Sequence, residues 1–278
     1  NILIKWGISQ QAVILTHPCF EEKAHFTYGR IHLPVAEHCN IQCRYCSRDI
    51  GVSYHAHRPA VTKELLSPEE AVRRVFCYLD DHLKVVGIAG PGEPLYNEST
   101  FRTLALIHDT FPDLLLCVAT NGLLLNEKCE ILAELGVKTI TVTMNTTNPE
   151  TVPRIYASIQ GDMNLKIAEM FIQNQLKGIE ACTDCGILVK VNSIVIPEIN
   201  MDELEEVALQ SYERGAILQN ITPLIPLAEF SRLHPPTCEE IQLVRNKCER
   251  ILPQFRLCRQ CRADAVGIPG KDDIFQVG

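Results

Sequence analysis

The segment Cys39-Asn40-Ile41-Gln42-Cys43-Arg44-Tyr45-Cys46 sets three thiols at C-x3-C-x2-C spacing. Three thiolates this close can grip one iron–sulfur cube at three corners and leave the fourth iron bare. A bare iron is a place for a substrate or cofactor to bind. Two other readings stand beside it: a zinc site short of its fourth ligand, and cysteines that merely fill core. Zinc favours paired C-x2-C knuckles, which this run does not supply. A second feature is Gly87-Ile88-Ala89-Gly90-Pro91-Gly92-Glu93-Pro94, where glycine lets the backbone approach a ligand and Glu93 offers a carboxylate to an ammonium group. A plain turn between strand and helix would also use Gly and Pro. Two C-x2-C pairs complete the set, Cys258/Cys261 near the C-terminus and Cys182/Cys185. Such a pair is more often a ligand or redox couple than filler.

Short β-branched runs alternating with amphipathic stretches must position these residues, a pattern that predicts βα units and a parallel sheet. Six strands are expected, at 30–35, 84–89, 114–119, 139–144, 187–196 and 216–220. Most read as continuous apolar runs, as strands covered on both faces should. Ser67-Pro68-Glu69-Glu70 predicts a capped helix start, continued by Val72, Val75, Phe76, Leu79 and Leu83 at helical spacing. Further helices are expected at 98–110, 127–135, 163–177 and 202–214, and Thr237 with Glu240 opens one to about residue 252. The expected fold class is α/β: a partial barrel of six βα units over 30–252, open on one side. An N-terminal arm, 1–29, and a C-terminal tail, 253–278, lie outside it. In such barrels chemistry gathers at the C-terminal strand ends. The cysteine run follows the first strand and the glycine segment ends the second. Thr120-Asn121-Gly122, Asn145 and Asn192 fall at or near the ends of the third, fourth and fifth, each also readable as a strand-end cap. Cys77, Cys129 and Cys248 fall in predicted helices and are given no chemistry.

The chain has 278 residues, 46% hydrophobic and 22% charged, with a mean hydropathy of +0.03. That is a globular composition and excludes disorder as the main state. A net charge of −8 argues against a nucleic-acid partner, because phosphate binding needs clustered Lys and Arg. No apolar run approaches the ~20 residues of a membrane helix, and no secretory leader is evident. Thirteen cysteines in a chain this long favour reduced thiols and metal over disulfides, so a cytoplasmic, oxygen-poor setting is expected.

The cysteine spacing, with Tyr45 before the third cysteine, resembles the radical S-adenosylmethionine (SAM) superfamily. The resemblance implies a (βα)6 radical SAM barrel whose 4Fe-4S cluster sits on Cys39, Cys43 and Cys46 and binds SAM at its bare iron. One electron would then cleave a carbon–sulfur bond of SAM to give a 5′-deoxyadenosyl radical. It also implies that Gly90, Pro91, Gly92 and Glu93, with Tyr45, Thr120, Asn121, Asn145 and Asn192, surround that cofactor.

Three further segments resemble the NifB family of nitrogenase-cofactor assembly. They are His17-Pro18-Cys19 with Ala24-His25 and Arg30-Ile31-His32; the segment Gly87 to Pro94; and the tail Cys258-Arg259-Gln260-Cys261-Arg262-Ala263-Asp264-Ala265-Val266-Gly267. With 116–122 and 187–197, the likeness runs from about residue 17 to 267. Cys19, His25, Cys117, Cys258 and Cys261 are soft or borderline ligands suited to iron–sulfur units, although Cys117 alone reads as a core residue and His25 alone as an ordinary histidine. The resemblance implies two auxiliary 4Fe-4S clusters, one anchored by Cys19, Cys258 and Cys261 and the other by His25 and Cys117. It implies a stand-alone carbide synthase that fuses these clusters around a SAM-derived carbon into an eight-iron cofactor precursor. Implied partners are cluster donor proteins, an external reductant, and a downstream scaffold or carrier. The alternatives are another radical SAM maturase whose auxiliary clusters carry electrons, and a non-enzymatic iron–sulfur or zinc scaffold. One departure stands out. Where the family has Tyr-Asp-Cys-Ala-Asn-Glu, this chain has Ile50-Gly51-Val52-Ser53-Tyr54-His55-Ala56-His57 before Arg58-Pro59, without the cysteine or the glutamate. His55 or His57 could stand in as a ligand, or be a solvated loop histidine. The Cys182/Cys185 pair has no counterpart in the family pattern.

Overall fold

The computed structural model describes residues 7–53, 56 and 58–272, so His55 and His57 lie outside the described residues. Two arm helices, α1 (Ile8–Thr16) and α2 (Glu22–Thr27), lead into β1 (Gly29–His32). Then come β2 (Ile41–Cys43), α3 (Pro68–Tyr78), β3 (Leu83–Ile88), α4 (Glu98–Thr110), β4 (Leu115–Thr120), α5 (Leu125–Glu134) and β5 (Val137–Thr143). A one-turn helix α6 (Val152–Ile155) and β6 (Tyr156–Ile159) precede α7 (Leu165–Asp184), β7 (Leu188–Val195), α8 (Leu204–Glu213), β8 (Leu218–Pro223) and α9 (Cys238–Cys248). The tail adds β9 (Val266–Ile268) and β10 (Lys271–Asp272).

All six expected strands form, and they pair in parallel in the order β1-β3-β4-β5-β7-β8, curling into a half-barrel. The helix starts read from Ser67 and Thr237 are present as reciprocal capping boxes with Glu70 and Glu240. Helix α7 runs past the expected 177, so Cys182 is buried within it and Cys185 caps its end, exposed. Cys129 and Cys248 are buried in helices, whereas Cys77 is exposed on α3.

The sheet does not close, and the tail covers both of its edges. Residues 253–255 run beside β8, with Gln219 N donating to Pro253 O at 2.8 Å and Phe255 N to Gln219 O at 2.7 Å. Farther on, β9 pairs antiparallel with β1, Ile31 opposite Val266. A separate ribbon, β2 with β6, was not evident from sequence because each of its strands is four residues or fewer.

Strand alternation decides what faces inward. Val118, Ile140, Val142, Val189 and Val191 belong to the apolar core, while Arg30, His32, Gly87, Cys117, Ala119, Thr141, Thr143, Lys190 and Asn192 line the concave interior. Those interior residues are small or polar, so the barrel is hollow where a closed barrel would be filled by bulky side chains.

Helices α5 and α7 touch closely at Gly178, where a Cβ would lie 2.7 Å from Leu125 Cβ and 3.1 Å from Asn126 N. Overpacking of this kind costs about 1–3 kcal/mol, against a gain of up to ~1 kcal/mol in helix propensity. Gly178→Ala is therefore expected to destabilise the protein by about 1–2 kcal/mol in a urea melt. A stabilised variant would show that the helices do not meet at this distance.

Candidate functional site

The interior forms one cavity of about 310 Å³, and seven cysteines stand on its wall: Cys19, Cys39, Cys43, Cys46, Cys117, Cys258 and Cys261. The loop bearing Cys39, Cys43 and Cys46 is pinned by the β2–β6 ribbon, with Cys43 paired to Tyr156. Arg44 N donates to Ile155 O at 3.0 Å and Cys46 N to Cys43 O at 3.2 Å, which turns the loop so that all three thiols face the cavity. Burial pushes each of the three thiols above its ordinary value, and for Cys43 the neighbouring Cys46 and Cys39 add to it. An entering cation would displace these protons. Arg48 bonds Cys39, and Tyr45 bonds Cys43.

The segment after β3 lies against this loop. Gly92 N donates to Ala36 O at 2.7 Å and Glu93 N to His38 O at 2.8 Å. A Cβ on Gly92 would come within 2.3 Å of His38 O, so only glycine fits. Glu93 is buried, and its carboxyl accepts from Thr120 Oγ1 at 2.5 Å, Asn121 N at 2.7 Å and Leu95 N at 3.1 Å. Burial outweighs those bonds and pushes its pKa up to about 7. Gly92, Pro91, Glu93, Thr120, Asn121 and Asn192 line the cavity; Gly90, with a φ of 123°, sets the turn beneath them. Asn121 Nδ2 also donates to Asn40 Oδ1 at 2.7 Å, tying the cysteine loop to the end of β4.

Asn145 is placed differently from expectation. It sits behind the wall, its amide donating to Tyr45 and Tyr156 hydroxyls, each at 3.0 Å, while its carbonyl accepts from Ile194 N at 2.9 Å. It holds Tyr45 and does not reach the cavity.

Cys19, Cys117, Cys258 and Cys261 share the cavity wall, and the last three lie near enough to Cys19 to act on it electrostatically. Burial pushes the Cys19 thiol up to about 12. Arg30, buried on β1, donates to Cys261 Sγ at 3.0 Å. His25 is not on the cavity wall: it is buried against Phe255, ring centroids 5.7 Å apart, with Nδ1 2.8 Å from Pro18 O.

Two other histidines line the cavity instead. His32 Nδ1 lies 2.9 Å from Arg262 O; a carbonyl can only accept, so Nδ1 carries the proton of the neutral ring. Gly87 leaves room for the ring, since a Cβ there would stand 3.0 Å from His32 Cδ2. His17 has the opposite tautomer, because Nδ1 accepts from Cys19 N at 3.1 Å. Its buried Nε2–H meets no acceptor among the described residues, and burial, then Lys190 and His32, keep its pKa well below the usual value. A donor without an acceptor fits a sulfide-rich guest. The sequence held a signal for His32: on a strand opening at Arg30, alternation puts 30 and 32 on one face.

Among the described residues, no three His, Cys, Asp or Glu side chains close on a single metal ion.

Beside the cavity, Arg262 is fully buried and forms a two-bond pair with Asp264, Nε to Oδ1 at 2.8 Å and Nη2 to Oδ2 at 3.0 Å. It also donates to the carbonyls of Val52, Ser53 and Ala56. The tail thus fixes the loop in which this chain departs from the family pattern.

A pattern defining the Radical SAM superfamily matches residues 33–210. The fold agrees: Streptococcus suis SuiB superposes with a TM-score of 0.59 at 12% identity, covering 89% of this chain and 52% of SuiB. HydG, a maturase of the [FeFe]-hydrogenase, gives 0.56 at 14% identity, covering 91% and 56%. The chain is a radical SAM protein, a class that uses a 4Fe-4S cluster and SAM. Its sequence is 46% identical over 266 residues to the FeMo cofactor biosynthesis protein NifB of Methanocaldococcus jannaschii, covering 94% of this chain and 88% of the relative. NifB of Methanocaldococcus infernus is 45% identical, covering 95% and 89%, and that of Klebsiella pneumoniae 41%, covering 92% and 57%. The chain belongs to the NifB family. No helix among the described residues is long and apolar enough to cross a membrane.

Burial alone would raise the Asp264 carboxyl, but the bonds from Arg262 and Lys63 N hold it below the usual range. A depressed folded-state value means that this stabilisation is full above about pH 4 and lost as pH falls through the folded value. Asp264→Asn strands a buried guanidinium and is expected to cost about 3–5 kcal/mol at pH 7. The loss should shrink in melts taken below pH 4; an equal loss at all pH values would show that the pair is not ionic.

Proposed function

We propose that this chain is a carbide-forming member of its family, which unites two 4Fe-4S clusters around a carbon taken from SAM into an eight-iron precursor of the nitrogenase cofactor. The observation that carries this reading is that one cavity gathers the Cys39–Cys43–Cys46 loop and a second sulfur group, Cys19, Cys117, Cys258 and Cys261, with no protein layer between them. Auxiliary clusters that only relayed electrons would have no need to share the reaction chamber.

Cys39, Cys43 and Cys46 would hold the resident cluster, which when bound supplies the electron that cleaves SAM. Glu93 takes the SAM ammonium. Thr120 Oγ1 and the Asn121 amide orient its carboxylate, and Asn192 faces the same space. Tyr45, fixed by Asn145, bonds Cys43 and holds the loop. The two substrate clusters rest on Cys19, Cys258 and Cys261, and on Cys117 with His32. Here His32 replaces His25, because His32 lines the cavity and His25 does not. One SAM gives its methyl to a cluster sulfide, and a second is the source of the radical that takes a hydrogen atom from that methyl. Cluster donor proteins, a reductant and an acceptor of the product complete the system. Few protein ligands per substrate cluster suit a product that must leave.

Anaerobic iron counting with electron paramagnetic resonance, before and after SAM, tests this reading. About twelve irons, with label from the SAM methyl appearing in a cluster, are expected; about four irons would leave the resident cluster alone and refute it. His32→Ala is expected to lose up to about four irons while His25→Ala keeps them. The reverse result would restore His25 as the ligand.

With its pKa at about 7, Glu93 is mostly neutral at pH 6 and ionised at pH 8. An ammonium ligand needs the carboxylate, so SAM affinity should rise about ten-fold across that range. Glu93→Gln should flatten the profile in calorimetric titrations, and a profile unchanged by the substitution would remove Glu93 from this role.

A further inference from the structure

Lys190 lies on the inward face of β7 and is 5% exposed. Its Nζ donates to Cys19 O at 3.2 Å and stands 5.1 Å above the Phe20 ring and 5.6 Å above the Phe255 ring. Among the described residues, no carboxylate lies within ion-pair range of it. One carbonyl and two ring faces are a thin shell for a buried ammonium, whose desolvation is normally offset by an anion. The remaining side of the group is the cavity, where its charge is felt at His17, Cys19 and Cys117. Among the described residues no acidic side chain supplies the missing anion, and the thiols facing Lys190 across the cavity are those of Cys19 and Cys117.

We infer that Lys190 is a positioning residue for the substrate clusters. It is the fixed cation that balances a thiolate-bound iron–sulfur guest between Cys19 and Cys117, and its bond to the Cys19 carbonyl sets the arm that presents Cys19. The inference rests on the proposed two-cluster reading above. A positive charge beside an anionic cluster favours its more reduced, more negative state and so raises its potential. The two rings and the Cys19 carbonyl fix where that charge sits.

The full chain, reconstituted without oxygen, tests this as wild type, Lys190→Met and Lys190→Arg. The readouts are retained iron after a chelator challenge and the midpoint potentials followed by electron paramagnetic resonance. The signal of the cluster on Cys39, Cys43 and Cys46 is the internal reference for folding. Lys190→Met should lower auxiliary-cluster retention about ten-fold and move the auxiliary potential negative, leaving the reference signal unchanged; Lys190→Arg should recover most of both. Should Lys190→Met also lose the reference signal, Lys190→Gln against Lys190→Arg makes the same comparison. Twelve irons in the wild type with unchanged retention and potential in the neutral variants would overturn the role of Lys190 alone. So would an arginine variant that behaves like the neutral ones. Four irons in the wild type would overturn both this role and the two-cluster reading.

Discussion

Thiols brought out of water resist ionisation, and this molecule brings seven of them to one cavity. Burial raises Cys19, Cys39, Cys43, Cys46 and Cys117 alike. Those five thiols stay protonated without a cation, and a bound one would displace their protons. The cations placed around the cavity belong to the same constraint. Arg48 reaches Cys39, Arg30 reaches Cys261, and Lys190 faces Cys19 and Cys117.

A hollow barrel follows from that need. The inward strand positions carry Gly87, Ala119, Thr141 and Thr143 where bulky apolar residues would fill a closed barrel. The outward positions, Val118, Ile140, Val142 and Val191, do the packing against the helices. Stability is thus built on the convex side of the sheet, and the concave side is left to chemistry.

What the sequence disclosed and what it concealed divide along contact range. The six strands, the two capping boxes and the cysteine loop are local patterns, and each was legible. His25 and His32 were not distinguishable by type; what separates them is tertiary placement, since His32 lines the cavity while His25 packs against Phe255, far along the chain in the tail. Asn145 was expected at the rim from its place near the end of a strand, yet the hydroxyls of Tyr45, 100 residues away, and of Tyr156 take its amide. The Arg262–Asp264 pair was visible only as part of a motif. Its work, holding the carbonyls of 52, 53 and 56, depends on a loop more than 200 residues away.

The course of the tail carries a consequence for the molecule as a whole. It leaves α9, borders β8 at 253–255, crosses with Cys258 and Cys261, and joins β1 as β9. A single stretch therefore seals the seam of an unfinished barrel from one lip to the other. Bare lips would offer unpaired backbone to any neighbouring chain, so the stretch that carries Cys258 and Cys261 to the cavity also covers the strands β1 and β8 that would otherwise be edges.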